Sequence, residues 1–162
     1  MPILNHFSLQ AAASEPGKPP NVQIVPQALQ LSGPVVQVEL GIPQDLAAYY
    51  EANNIAIPSP ITGRALVDTG ASITAVDKPL LLRLGINPLG TANVFTPQGE
   101  DEQEMFPVKL GFVGTPLQIN FNSVLGSDLT RQGIVALIGR DLLANCILVY
   151  NGVGGHFSLS LG

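Results

Sequence analysis

The chain has 162 residues, which is enough for one hydrophobic core and too few for two comfortable domains. Hydrophobic residues make up 46% of it and charged residues only 12%, a balance that excludes disorder over most of the length. The net charge of -5, without a cluster of Lys or Arg, argues against nucleic acid as a partner. Seventeen glycines and fourteen prolines indicate short strands joined by turns, so we predict an all-β fold.

Disulfides, metal sites and membrane segments are not expected. The single cysteine, Cys146, lies in an apolar run and is interpreted as a small core residue. The two histidines, His6 and His156, are far apart and have no neighbouring ligand, so we expect no metal and no cofactor. The N-terminus lacks a signal-peptide pattern and no apolar run approaches about 18 residues, so we expect a cytoplasmic protein without a membrane partner.

The first third of the chain divides into an arm and the start of a folded domain. We expect residues 1–34 to form an N-terminal arm, partly flexible because residues 11–20 are small, polar and rich in proline. The folded domain is expected over residues 35–162, and it begins with alternating apolar and polar residues that predict a strand over 35–40. Residues 44–53 fit either a short helix or a surface excursion.

The rest of the sequence predicts mostly strands, with one or two short helices. Asp77 is placed to cap a helix over residues 78–84 that Gly85 closes, and a second short helix is expected near the C-terminus. Residues 94–95 and 104–110 are expected to form a hairpin. Further strands are predicted over residues 22–25, 64–67, 73–76, 112–113, 117–121, 134–138, 147–150 and 156–161.

One short motif, Asp68-Thr69-Gly70-Ala71, carries candidate chemistry. Hydrolysis of a peptide by water needs one group that takes a proton and another that donates one. Two carboxyl groups about 3 Å apart cannot both ionise, so they share a proton and act as base and acid together. Asp68 is suited to such a pair because it follows an apolar strand and precedes small residues. The motif alone equally fits a strand followed by a Thr-Gly turn that Asp68 caps.

A second motif, Leu137-Ile138-Gly139-Arg140, follows roughly seventy residues later and places two apolar residues and a glycine before a short helix. With both motifs in this order and at this spacing, residues 61–161 resemble the retropepsin-like aspartic proteases, as a bacterial-type member with a single lobe. The resemblance implies a barrel with a catalytic loop and a mobile flap hairpin. It also implies that the apolar-apolar-Gly motif and its helix pack behind that loop.

The resemblance implies a role for each matching residue. Asp68 would share a proton and activate water together with Asp68 of a second copy. Thr69 would hydrogen-bond across the two-fold axis, and Gly70 would bind the substrate backbone through its carbonyl. The other residues that it assigns are Ala71 in the active-site loop, Thr96, Pro97, Gln98 and Gly99 in the flap, and Leu137, Ile138, Gly139 and Arg140 as structural support.

Two positions depart from the pattern of the family. Ser72 replaces an acidic residue that retroviral members often carry, so the expected ion pair that anchors Arg140 needs another acceptor, such as Asp77. The flap is acidic instead of glycine-rich, with Glu100, Asp101, Glu102 and Glu104. Two copies would bring these charges to one cleft, which predicts higher activity at acidic pH or on substrates with basic residues. The alternative is that they form a solvated loop tip.

The motif occurs once, so the second carboxylate must come from another copy of the chain. We therefore predict a homodimer with two-fold symmetry that takes a peptide or protein as substrate. The strand over residues 157–161 fits either the dimer interface or pairing within one chain. Three functions remain open: an active aspartic endopeptidase, an inactive retropepsin-fold binding or dimerisation module, and an unrelated β-sandwich binding domain. The intact motif favours the endopeptidase, because a purely structural module has no use for two carboxylates held close together.

Overall fold

The computed structural model describes residues 3–7, 9–11, 22–96 and 99–161. The strands, in chain order, are β1 (Ile3–Phe7), β2 (Leu9–Ala11), β3 (Val22–Ile24), β4 (Val35–Gly41), β5 (Ile61–Val67), β6 (Ala75–Asp77), β7 (Gly90–Thr96), β8 (Gly99–Phe112), β9 (Gln118–Ser127), β10 (Ala136–Ile138), β11 (Cys146–Asn151) and β12 (His156–Leu161). The α-helices are α1 (Pro26–Ser32), α2 (Gln44–Ala52), α3 (Lys78–Arg83) and α4 (Arg140–Leu143). The prediction of an all-β fold is confirmed.

The chain forms two compact units. The larger unit is Val36–Leu142, and the smaller unit combines Met1–Val35 with Leu143–Gly162. The larger unit begins next to the predicted domain start, but it ends before the last two strands. Those two strands belong to the same unit as the N-terminal residues.

The larger unit is a closed barrel with a hairpin extension. Its sheet has the order β4-β5-β10-β6-β9-β8-β7, and β4 also pairs with β8. The second pairing closes six strands into a ring and leaves β7 attached to β8 alone. Every second residue of β8, from Phe106 to Phe112, is buried, as expected for a strand with one face towards a core. The first half of β8 continues beyond the barrel as a two-stranded ribbon with β7.

The described residues contain four α-helices where one or two were predicted. The prediction of α3 and its end is confirmed: Gly85 has a φ of +75°, its N–H donates to the Leu82 carbonyl, and the Ile86 N–H donates to the Leu81 carbonyl. The prediction that Asp77 caps this helix is wrong, because its side chain makes no capping hydrogen bond and accepts instead from the Leu129 N–H. Residues 44–53, which were left open, form α2. Helix α1 was missed because Leu29 is its only buried residue, which leaves no apolar periodicity to detect. No helix in the described part of the chain is long and apolar enough to cross a membrane.

The smaller unit contains a three-stranded antiparallel sheet in which β12 lies between β1 and β11. The buried side chains of Phe157, Leu159 and Leu161 alternate with half-buried residues along β12. Because β12 is paired along its length on both sides, the structure shows the alternative of pairing within one chain, and a place for residues 157–161 in a dimer interface stays a prediction. Cys146 at the start of β11 is half-buried, and burial raises the pKa of its thiol.

Candidate active site

The loop that carries Asp68 begins where two parallel strands of the barrel end. Strand β5 runs beside β10, with Val67 paired to Ile138. The Asp68 N–H continues this pairing by donating to the Ile138 carbonyl at 2.9 Å. The two motifs found in the sequence are therefore neighbours in the barrel. About seventy residues separate the two motifs in the sequence, so it is the pairing of β5 with β10 that brings them together.

The Asp68 side chain is fixed by the turn that follows it. The Gly70 N–H donates to Asp68 Oδ1 at 2.8 Å, and the Ala71 N–H donates to the Asp68 carbonyl at 3.2 Å. This is the turn-capping role that the sequence offered as an alternative. It does not exclude the catalytic role, because a carboxylate has about four acceptor positions and the turn occupies one of them. Asp68 is half-buried and Thr69 is exposed in the single chain.

Arg140 holds the loop by hydrogen bonds to backbone carbonyls. Its Nη1 donates to the carbonyls of Thr69 at 2.8 Å and Gly70 at 3.1 Å, and its Nη2 donates to Ser72 Oγ at 2.8 Å. These contacts replace the expected ion pair with Asp77. The Gly70 carbonyl, which was expected to bind substrate, is thus already an acceptor, although a carbonyl oxygen has a second lone pair.

A partly buried network between Thr74 and Asp141 was missed in the sequence. Asp141 accepts hydrogen bonds from the Thr74 N–H at 2.9 Å and from Thr74 Oγ1 at 2.7 Å. Thr74 Oγ1 in turn accepts from the Gly139 N–H at 3.1 Å. Thr74 is fully buried within an otherwise apolar strand segment, and this isolated polar residue was the available signal.

Gly139 is required by close packing behind the loop. A Cβ at this position would lie 2.6 Å from the carbonyl carbon of Ile73 and 2.8 Å from the nitrogen of Thr74. These are backbone atoms that cannot rotate away, so a side chain does not fit. Gly139 and Ile138 are buried, in agreement with their expected supporting position.

The predicted hairpin is present as β7 and β8, but its strands are longer than expected, and its role as a flap stays a prediction. Strands β7 and β8 pair from Gly90 opposite Met105 to Thr96 opposite Gly99. Of the four predicted flap residues, Gly99 has a φ of +128° and Thr96 ends β7, whereas Pro97 and Gln98 lie outside the described residues. The predicted strand start at residue 104 was too late because residues 99–103 are polar and carry no apolar alternation.

A cleft of about 580 Å³ lies beside the base of the flap. Its lining includes residues 101–104 of β8, Leu137 of β10 and the segment after β9. Leu137 is therefore part of a cleft wall and not of the buried support behind the loop. Asp77, buried at the end of β6, positions the segment after β9 by accepting a hydrogen bond from the Leu129 N–H at 2.9 Å.

The acidic residues around this cleft differ in their contacts. Glu104 forms an ion pair with Lys78, whereas Glu100, Asp101 and Glu102 are exposed. In Asp128, hydrogen bonds from the side chain and backbone of Thr130 hold the pKa below its ordinary value. No group of three or more His, Cys, Asp or Glu residues in the described part of the chain is arranged to hold a metal ion.

Comparison with known proteins found a similarity in three-dimensional structure only. No known family profile matches the chain, and no curated protein matches it. Among solved structures, the solution structure of Simian Foamy Virus (mac) protease superposes with a TM-score of 0.43 and 18% identity, over 68% of this chain and 91% of that chain. A similarity of this size assigns neither an activity nor a residue role. The strand-rich barrel described above is consistent with the all-β, retropepsin-like fold expected from the two motifs.

Proposed function

We propose that the chain is an aspartic endopeptidase whose active site forms when two copies associate. The observation that carries this proposal is the Asp68 turn. Its carboxylate follows a barrel strand and is oriented by the Gly70 N–H, and Arg140 holds the loop from behind. A loop fixed in this way favours the reaction, because a catalytic carboxylate must be held in position before the substrate binds.

The chemistry needs two carboxylates that share one proton. Asp68 of one copy takes a proton from water, and protonated Asp68 of the other copy gives its proton to the carbonyl oxygen of the peptide. Water attacks the carbonyl carbon to form a tetrahedral diol, and the C–N bond breaks as the Asp68 that took the proton from water gives it to the nitrogen. The other Asp68 regains its proton from a hydroxyl of the diol as the carboxylic acid product forms. Neither a metal nor a covalent intermediate takes part in these steps.

The dimer is supported by what the loop exposes. Thr69 and Gly70 are exposed beside Asp68, so a second copy can approach the loop without a bulky side chain in its way. Because β12 has no open edge, a second copy that extends this three-stranded sheet would pair with the outer edge of β1 or β11. Activity is then expected to fall on dilution, since the dyad does not exist in a monomer.

The test compares Asp68→Asn with the wild type on a peptide library between pH 4 and 7. We expect kcat/KM to fall by about 10²–10⁴-fold, because an amide can neither take nor donate the proton. Glu51→Gln makes the same chemical change at an exposed position of α2 and is expected to retain full activity. Equal cleavage by wild type and Asp68→Asn would exclude the catalytic assignment. A folded dimer that cleaves nothing would favour a binding or dimerisation module.

A further inference from the structure

A groove of about 730 Å³ lies between helix α2 and the segment that follows helix α3. It belongs to the larger unit and exceeds the cleft beside the flap in volume. The catalytic steps described above use none of its residues. Its apolar lining includes Leu46, Tyr49, Tyr50, Ile86, Leu89 and Phe121.

The apolar stripe of α2 is only partly covered by the described residues of the chain. None of the nine residues of this helix is buried. Leu46, Tyr49 and Tyr50 have the i, i+3, i+4 spacing of a single helix face, and all three line the groove. Tyr49 is 58% exposed, and Leu89 is 69% exposed. Because burial of apolar surface is favourable, a ligand that covers this face gains free energy that the isolated chain does not.

The groove walls are held in place before a ligand binds. The Gln44 N–H, at the start of α2, donates to Asn120 Oδ1 of β9 at 3.3 Å. Towards the other end of the helix, the Tyr50 hydroxyl lies 3.5 Å from the position of a Cβ on Gly85. The Leu89 N–H donates to the Met105 carbonyl of β8 at 2.8 Å. Preformed concave sites of this kind are typical of binding sites.

The polar lining suits a neutral polypeptide. Asn87, Asn120 and Asn122 contribute side-chain amides, each with donor and acceptor atoms that match those of a peptide backbone. The lining contains no Lys or Arg, and Asp45 is its only carboxylate. An anionic ligand is therefore disfavoured, whereas an extended segment with apolar side chains is complementary to both parts of the lining.

The groove and the cleft beside the hairpin of β7 and β8 border the same helix and the same strand. Lys78 at the start of α3 lines the cleft, and Gly85 just after α3 lines the groove. Along β8, Glu104 lines the cleft and Pro107 lines the groove, a separation of about 10 Å in a strand. About three or four residues of an extended chain are long enough to span this separation.

The geometry points to an exosite: the groove binds an apolar, extended segment of a protein substrate that lies several residues from the bond to be cut. This inference rests on the proposed peptidase activity. Contacts made far from the reacting bond strengthen binding of long substrates and leave short ones unaffected. The exosite therefore selects unfolded polypeptides with apolar segments over short peptides.

The test uses the double variant Tyr49→Ala/Leu89→Ala with two substrates, unfolded casein and an octapeptide that spans a bond cut in casein. We expect KM for casein to rise about tenfold, while kcat/KM for the octapeptide stays within about twofold. Leu82→Ala removes an exposed leucine of α3 that does not line the groove and is expected to change neither value. An unchanged KM for casein, or an equal loss on both substrates, would overturn the exosite.

Binding without cleavage separates this inference from the proposed function. In the Asp68→Asn background, fluorescein-labelled casein is titrated and its anisotropy is followed, so no hydrolysis is needed. Tyr49→Ala/Leu89→Ala is expected to weaken binding about tenfold, with an unchanged melting temperature as the check on folding. If the wild type cuts nothing, the peptidase proposal fails, and this titration still decides the groove. Equal binding with and without the substitutions would refute the exosite.

Discussion

The loop at residues 68–72 and the flap hairpin of β7 and β8 both belong to the proposed active site, but different contacts hold them. The groups that hold the loop and the residues after it lie 65 to 71 residues further along the chain: the Arg140 side chain donates to the Thr69 carbonyl, and the Gly139 N–H donates to Thr74 Oγ1. Within the ribbon of the flap, Thr91 donates to Glu102 only 11 residues away. Contacts with distant residues occur at the flap base, where Lys78 pairs with Glu104.

This difference implies that the loop is the rigid part of the proposed site and the hairpin the mobile part. The loop can move only if several hydrogen bonds and the close backbone packing at Gly139 are broken together, which ties its position to the stability of the barrel. The described ribbon depends on one strand pairing and exposed side chains, so it can bend while the barrel stays folded. Changes in the loop are therefore expected to alter stability and activity together, and changes in the flap to alter activity alone.

The largest expected effect comes from Gly139→Ala. The added methyl group would overlap backbone atoms of Ile73 and Thr74, so we expect a loss of about 3 kcal/mol in the free energy of unfolding. Gly90→Ala at the start of β7 is the matched control, because nothing lies within 4 Å of its Cβ position. Urea denaturation measures both variants. Equal stabilities would show that the loop is not held by this packing.

A smaller effect is expected from Asp141→Asn. The amide keeps one acceptor oxygen but cannot accept both hydrogen bonds from Thr74, so we expect a loss of about 1–2 kcal/mol together with reduced activity. Asp101→Asn makes the same change on the exposed flap, where the carboxylate accepts only a long bond of 3.4 Å from Gln103. Its melting temperature is expected to match that of the wild type. The comparison between loop and flap fails if Asp101→Asn is the less stable of the two.

The smallest effect concerns the charge of the flap. Replacing Glu100, Asp101 and Glu102 by their amides removes three exposed negative charges and leaves the pair of Lys78 with Glu104 intact. We expect the wild type to prefer peptides with basic side chains by about three- to tenfold at low salt, and the triple variant to lose this preference without losing stability. Rates on matched basic and neutral peptides measure it. The same slight preference in both proteins would favour the solvated loop tip.

Local signals in the sequence predicted several elements well. The end of α3 at Gly85 and the strand that leads into the Asp68 turn were both predicted correctly. Each depends only on residues a few positions apart in the sequence. The hairpin was predicted, but with strands that were too short. Its outer part is polar and pairs outside the core, so it lacks the apolar alternation by which a strand is predicted. Helix α1 was missed for a related reason, since a helix with one buried residue leaves no apolar stripe to read.

The sequence by itself determined that a carboxylate follows an apolar strand and that two apolar residues and a glycine follow about seventy positions later, because both are local motifs in a fixed order. The tertiary structure alone decided that Arg140 binds backbone carbonyls, that Asp141 reaches Thr74, and that β12 is enclosed by its own chain. These contacts join residues that are remote along the chain, and only closure of the sheets brings them within hydrogen-bonding distance. The type of a residue limits what its side chain can bind, whereas the fold determines which partner lies close enough to be bound.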